Sequence, residues 1–429
     1  MHATVTAAVH ANEDLLFSIL VQLIAMIAAA RVMNTVFRRL GQPGAVGEIV
    51  AGLALGPSLF GHLFPAASLA IFGAKASAPV TVISQVGLIL LMFQIGSDFN
   101  FGHLRSARNG RATGMIAALS IAVPFGLGFA IGQISAPVLA PAIDPLIYSL
   151  FVGVGLAITA VPILGRILRQ FDLHRTELGT VAISAAAIND VIGWLALAGI
   201  SALAAAKFSG GSLPGQVGGL ALFGIVLWVV LRPLANRLIA ALPLRDGDLA
   251  PNLMAAVVCL TFACGIVTYK LGIFAIFGGF AAGLLFHHHT AFVEAWRRQV
   301  GAFVLVFFLP VFFCFTGLRT NILGLGAADM GWLALFLAVA ILGKIVPVYC
   351  AGRASGFNHA ESLVLGTLMN TRALMELIVL NIGFDLGFIP QNVFTMLVIM
   401  AVVTTVMTGP LLKLFLPRTG HVVPVGVEA

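Results

Sequence analysis

Charge is what this sequence has least of. Only 9% of its 429 residues are Asp, Glu, Lys or Arg, against about 25% in a soluble domain. That scarcity excludes a soluble enzyme and a disordered chain. Cysteine is equally sparse. Cys259, Cys264, Cys314 and Cys350 all lie inside apolar runs with no zinc-site spacing, so a disulfide scaffold and a structural metal site are excluded as well. No Walker loop, dinucleotide fingerprint, HExxH or nucleophile elbow occurs in a supporting context. Heptads and low-complexity tracts are also missing. The first apolar run, from Leu15, has no basic segment before it, so it reads as a retained helix and not a cleaved signal.

What the chain has in abundance is apolar surface. Hydrophobic residues make up 60%, glycines number 47, and the mean hydropathy is +1.07. This is the composition of a polytopic helical membrane protein. Runs of roughly 20 apolar residues, the length that crosses a bilayer, predict thirteen spans. They are Leu15–Ala30, Gly44–Phe60, Val80–Ile95, Thr113–Ile134, Leu146–Leu164, Leu178–Ala205, Val217–Val230, Leu253–Tyr269, Leu271–Phe286, Phe303–Leu318, Gly331–Cys350, Leu363–Phe384 and Val393–Leu412. The eighth and ninth are separated only by Lys270 and its neighbours, which requires a tight hairpin. The net charge of +7 then reflects basic loops and not a nucleic-acid partner. The odd-numbered connections and the C-terminal tail carry 17 of the 23 basic residues, and the even-numbered ones carry Lys75, Lys207, Lys270 and Arg319. Positive loops stay on the cytoplasmic side. The N-terminus is therefore expected outside and the C-terminus inside, in a cell membrane. The chain stops about 17 residues after the last span, so no soluble regulatory domain is expected.

Five ionisable residues fall inside these spans: Glu48, Asp190, Lys344, Arg372 and Glu376. Each costs about 2.5–3.5 kcal/mol at mid-bilayer, so each must be paired, hydrated or both. Asp190 lies near the middle of the sixth span. A carboxylate there is costly when charged and alone, and it is stabilised by taking up either H⁺ or a small cation, which is the minimum chemistry for exchange. The bland alternative is a static Asp–Lys lock between helices. Lys344, about a dozen residues into its span, reads as a counter-ion or second titrating group, with snorkelling to the interface as the alternative. Pro162 interrupts the fifth span, and polar Asn370, Arg372 and Glu376 interrupt the twelfth. Interruptions at corresponding places in two halves point to a transporter's site. Glu48 either lines an access funnel or is an interfacial residue bonded to backbone. His287, His288 and His289 are adjacent and cannot readily converge on one ion, so a pH-sensing role competes with plain solvated surface. Gly52/Gly56, Gly128/Gly132 and Gly279/Gly283 have helix-packing spacing.

Six segments, in order, carry a resemblance. They are Gly47–Ser58 (GEIVAGLALGPS), Ile158–Leu168 (ITAVPILGRIL), Ala185–Asp190 (AAAIND), Phe315–Asn321 (FTGLRTN), Gly343–Ile345 (GKI) and Asn370–Asn381 (NTRALMELIVLN). Over nearly the whole chain the sequence resembles monovalent cation:proton antiporter family 2, its CHX-like branch, within the sodium/hydrogen exchanger superfamily. The resemblance implies an all-α polytopic fold with 13 transmembrane helices and two inverted-topology repeats with crossed broken helices. It also implies a moving core (about 80–205 and 303–412), a dimerising scaffold (about 15–60 and 217–286), a homodimer and elevator-type alternation. The pair Asn189-Asp190 stands where other members have Asp-Asp, which leans toward electroneutral exchange.

The expected function is secondary antiport of Na⁺ or K⁺ against H⁺, serving pH homeostasis, with no catalysis, no resident metal and no cofactor. Asp190, Asn189 and Thr159 would bind the ion, and Lys344 would tune the carboxylate. Pro162, Asn370, Thr371, Arg372 and Glu376 would stabilise the crossing. The rivals are a channel-like K⁺ efflux pathway, a carboxylate-coupled organic-anion transporter on a similar fold, and a transport-dead sensor.

Overall fold

A computed structural model describes residues 2–98, 110–174, 176–209, 213–244 and 247–421. Arg105, Arg108, Arg175 and Arg245, counted above among the odd-numbered connections, lie outside the described residues. The regular structure is helical: α1 (His2–Arg39), α2 (Gly44–Leu55), α3 (Phe60–Leu63), α4 (Pro65–Phe72), α5 (Ala74–Ser97), α6 (Gly110–Leu139), α7 (Pro145–Ala157), α8 (Val161–Gln170), α9 (Glu177–Ser209) and α10 (Leu213–Val226). It continues with α11 (Arg232–Ala241), α12 (Pro251–Lys270), α13 (Ala275–Leu284), α14 (Thr290–Trp296), α15 (Leu309–Leu318), α16 (Ala327–Ala354), α17 (His359–Met369), α18 (Leu374–Asp385) and α19 (Gln391–Phe415).

Each of the thirteen expected spans has a helical counterpart. Among the described residues, eleven helical segments are long and apolar enough to cross a membrane. The tenth expected span, Phe303–Leu318, corresponds to Val304–Leu318, but it is preceded by a further helical arm, Thr290–Gly301, that meets it at 44°, with wider π-type turns at Arg297–Gly301 and Val304–Phe308. Such turns are a recognised cause of sharp helix bends. The ninth is also shorter than expected, because α13 has only 10 residues. The hairpin before it is as tight as expected: α12 ends at Lys270, α13 begins at Ala275, and Gly272 takes the positive φ of 78° that the turn requires.

Helix ends are set by local chemistry. The Asp144 carboxylate accepts from the Leu146 and Ile147 N–H groups at 3.0 and 3.2 Å, and Pro145 fills the first position of α7, where its missing donor costs nothing. Asn358 and Glu361 form a reciprocal cap on α17 at 2.9 and 2.8 Å.

By packing, the chain forms two units. Met1–Ala28, Pro65–Asn100 and Ala198–Phe315 make the first; Ala29–Phe64, Phe101–Leu197 and Thr316–Ala429 make the second. This grouping follows different lines from the core and scaffold of the resemblance, which are defined by what moves. Within each unit the glycine pairs read from the sequence are places of close approach. In the first, a Cβ on Gly283 would strike the backbone of Phe93, and one on Gly279 that of Ile89. In the second, a Cβ on Gly128 would lie 2.9 Å from Gly153 Cα and one on Gly132 2.6 Å from Ser149 Cα, so α6 and α7 meet backbone to backbone. With lipid as apolar as leucine, such contact packing drives helix association in membranes. Overpacking a close-packed interface costs about 1–3 kcal/mol. Gly132→Val is therefore expected to lower the melting temperature and purified yield, whereas Gly126→Val, where a Cβ meets nothing within 4 Å, should melt like the parent.

Candidate functional site

The site lies in the second packing unit, where two helices break. The first break separates α7 from α8. Ile158 and Ala160 are extended (ψ 144° and 101°), and Pro162 sits in the first turn of α8, so it starts a half-helix instead of kinking a whole one. The second break, Asn370–Ala373, separates α17 from α18. Its last residue, Ala373, has φ 114° and ψ −88°, a conformation strained for any residue with a Cβ. The breaks are bonded to each other. The Ala160 N–H donates to Thr371 O at 3.1 Å, and the Thr159 hydroxyl donates to Met369 O at 2.9 Å.

Breaking two helices exposes four helix ends inside the protein, each with orphaned backbone groups. The buried side chains meet these ends by charge. At the carboxyl end of α7, Lys344 Nζ donates to Ala157 O and, at 2.6 Å, to Ser120 O. Arg372 donates there to Gly155 O at 3.0 Å, and also to Ala340 O at 3.2 Å. At the amino end of α8, the Val161 N–H donates to the Asp190 carboxylate. At the amino end of α18, Glu376 lies in the first turn, with its Oε2 3.9 Å from Arg372 NH1. Cations thus sit at the carboxyl end of α7 and anions at the amino ends of α8 and α18, as the helix dipole favours. All four side chains are buried, Lys344 and Arg372 completely.

Polar atoms remain that nothing satisfies. Asp190 Oδ1, Asn189 Oδ1, both amide atoms of Asn370 and Thr371 Oγ1 are buried without a hydrogen-bond partner among the described residues. The Asn189 amide nitrogen, by contrast, donates to Ser120 Oγ at 3.0 Å and to Thr159 Oγ1 at 3.2 Å.

The structure therefore brings Thr159, Asn189, Asp190, Lys344, Arg372 and Glu376 to one crossing, with Pro162, Asn370 and Thr371 in the breaks themselves. It places Lys344 on two carbonyls; among the described residues it forms no ion pair with Asp190, and the charges acting on it are Arg372 and Glu376. Glu48 lies elsewhere in the unit. It is buried and accepts from the Asn34 side chain at 2.6 Å, where α2 presents Gly44 and Gly47 to Met33 and Asn34. The three histidines do not converge on one point: His287 Nδ1 meets Leu284 O at 2.6 Å, its ring lies 3.6 Å from that of His288, and His289 Nε2 meets Asn236 Oδ1 at 2.8 Å. Partial burial holds both His287 and His289 below the ordinary histidine range. Two participants had no sequence reading. Thr405 accepts from the Arg372 N–H at 3.3 Å. Ser120 touches both Lys344 and Asn189, and its only signal was being the single hydroxyl-bearing residue between Thr113 and Gln133.

A multi-pass helical protein with buried charges at two crossed, interrupted helices has the architecture of a secondary transporter. The sequence profile of the transmembrane sodium/hydrogen exchanger family matches residues 23–417, and the chain belongs to that family. It is 35% identical over 418 residues to the Na(+)/H(+) antiporter NhaS4 of Synechocystis sp., covering 96% of this chain and all of that one. It is 33% identical over 396 residues to Cation/H(+) antiporter 18 of Arabidopsis thaliana, covering 91% of this chain but 48% of that protein, so it spans about half the length of this plant relative. Its fold is similar to that of the sodium proton antiporter MjNhaP1 of Methanocaldococcus jannaschii, with a TM-score of 0.68 at 14% identity over 94% of this chain and 98% of that one.

Arg372 donates to two carbonyls and, among the described residues, is the cation paired with Glu376, at 3.9 Å. Removing one member of a buried charge pair costs about 3–5 kcal/mol. Arg372→Ala is therefore expected to lose thermal stability together with transport. Ala373→Val should also melt lower, since a β-branched residue suits positive φ worst, while Ala373→Gly should melt no lower than the parent. A thermal melt of the three purified variants checks both statements.

Proposed function

We propose that the protein exchanges a monovalent cation, Na⁺ or K⁺, for H⁺ across a cell membrane. One observation carries this reading: in a chain of the exchanger family, Asp190 presents a buried, unpartnered carboxylate oxygen at the crossing of two broken helices. A lone carboxylate in a low-dielectric interior is unstable with its charge uncompensated. It is neutralised by a proton or paired with a cation, and one occupant displaces the other. That mutual exclusion is the coupling. Neither ion can cross while the site holds the other, and an empty, charged site is costly to move through the bilayer.

Thr159 and Asn189 support the site beside Asp190. Lys344, Arg372 and Glu376 hold the half-helices to one another, so that the crossing moves as a body. On this reading the chain works as a homodimer in the lipid bilayer, with its N-terminus outside and its C-terminus cytoplasmic. A core of about residues 80–205 and 303–412 would then shift, elevator-fashion, against a scaffold of about residues 15–60 and 217–286. The name of the Synechocystis relative favours Na⁺ among the two cations, and the single acid of the Asn189-Asp190 pair favours electroneutral exchange.

The test uses the purified protein in liposomes loaded with a pH dye, with Na⁺ or K⁺ added outside. Asp190→Asn keeps the shape but is neutral at every pH, so it is expected to fold, melt within a few degrees of the parent and move no protons on cation addition. Cation-driven proton movement at the parent rate in Asp190→Asn would overturn the reading.

A further inference from the structure

The hydrogen bonds around Asn189 determine which way its amide faces. The Thr159 hydroxyl spends its single proton on Met369 O, and the Ser120 hydroxyl spends its own on Ala117 O at 3.0 Å. A hydroxyl has one proton and two lone pairs, so both oxygens have only lone pairs left to offer Asn189. The group facing them must be the NH₂, and each of its two protons has one partner. The amide oxygen is thereby turned away from the hydroxyls. It ends buried and unpartnered, in the residue next to Asp190, whose Oδ1 is also unpartnered. Two buried acceptor oxygens on adjacent residues, with no donor among the described residues, suit a cation.

We propose that Ser120 is a positioning residue for cation binding: its hydroxyl clamps the Asn189 amide so that Oδ1 is held as a cation ligand beside Asp190. The inference rests on the reading of Asp190 as the exchange site. Thr159 forms the other jaw of the clamp and is anchored across the helix crossing to Met369. Ser120 is anchored within α6, where its backbone carbonyl also receives Lys344. One jaw stands on α6 and the other in the break between α7 and α8, so the amide is fixed against rotation from both sides. A ligand held this firmly sets the size of the coordination shell, so the clamp bears on discrimination between cations as well as on affinity.

Ser120→Ala isolates the clamp. It removes the hydroxyl and leaves the carbonyl that holds Lys344. The amide can then rotate and is expected to lose a share of its ligand geometry comparable to one net hydrogen bond. Apparent cation KM should rise roughly three- to tenfold, and the preference between Na⁺ and K⁺ should narrow. Ser120→Cys, whose sulfur accepts weakly, should fall between. The experiment measures proton movement in proteoliposomes against titrations of Na⁺ and K⁺, with the cation-induced rise in melting temperature as a readout independent of transport. Two results would overturn the proposal. One is an unchanged KM and an unchanged cation-induced rise for Ser120→Ala. The other is a loss of rate and basal melting temperature at unchanged KM, which would make Ser120 a packing residue only. Asp190→Asn runs alongside: if it transports, the exchange-site reading fails; if it is silent while Ser120→Ala behaves as parent, only the clamp fails.

Discussion

Ending a helix inside a protein leaves backbone groups unsatisfied, and this chain does so four times at one crossing. In water those groups would be solvated; in a bilayer interior they are not. Everything else at the crossing follows from that constraint. Lys344 and Arg372 go to the carboxyl end of α7, while Asp190 and Glu376 go to the amino ends of α8 and α18. The charges need the helix ends as much as the ends need the charges, since each ionised group alone would cost several kcal/mol at that depth. Two cations and two anions leave the cluster formally balanced when all four are ionised, and the uptake or release of one proton or one cation tips it.

Rigidity and occupancy are divided among these residues. Arg372, with two carbonyl partners and an anionic neighbour, ties α18 to α7 and α16. The direct bonds between the breaks, Ala160 to Thr371 and Thr159 to Met369, tie the two breaks together. Among the described residues, buried atoms without a hydrogen-bond partner occur on Asn189, Asp190, Asn370 and Thr371, and also at Arg372 Nε and both Glu376 oxygens. The strained Ala373 belongs to the same picture, since backbone in a sparsely populated conformation persists where neighbours over-determine it.

Much of this architecture was legible from composition and spacing. Every expected span has a helix because membrane spans obey a simple length and polarity rule. The two breaks were visible at Pro162 and at Asn370–Glu376, because a bilayer tolerates such residues only where backbone is bonded elsewhere. The expected tenth span, Phe303–Leu318, is the second arm of a bent pair whose first arm carries Arg297, Arg298 and Gly301, and the short ninth is rich in glycine. There hydropathy alone says little about direction or length.

The sequence by itself thus determined that this is a multi-pass membrane protein with five ionisable groups in its spans and two interrupted helices, because those features are written in single residues and their spacing. Which group meets which was decided only by the tertiary structure. Asp190 and Lys344 look like a pair in the sequence, yet the lysine goes to the carbonyls of Ala157 and Ser120 and the aspartate to the Val161 N–H. The polarity of a helix end depends on where the chain is cut and what crosses it. Ser120 was invisible for the same reason: one hydroxyl in an apolar run gains meaning only when a fold places Asn189 on one side of it and Lys344 on the other.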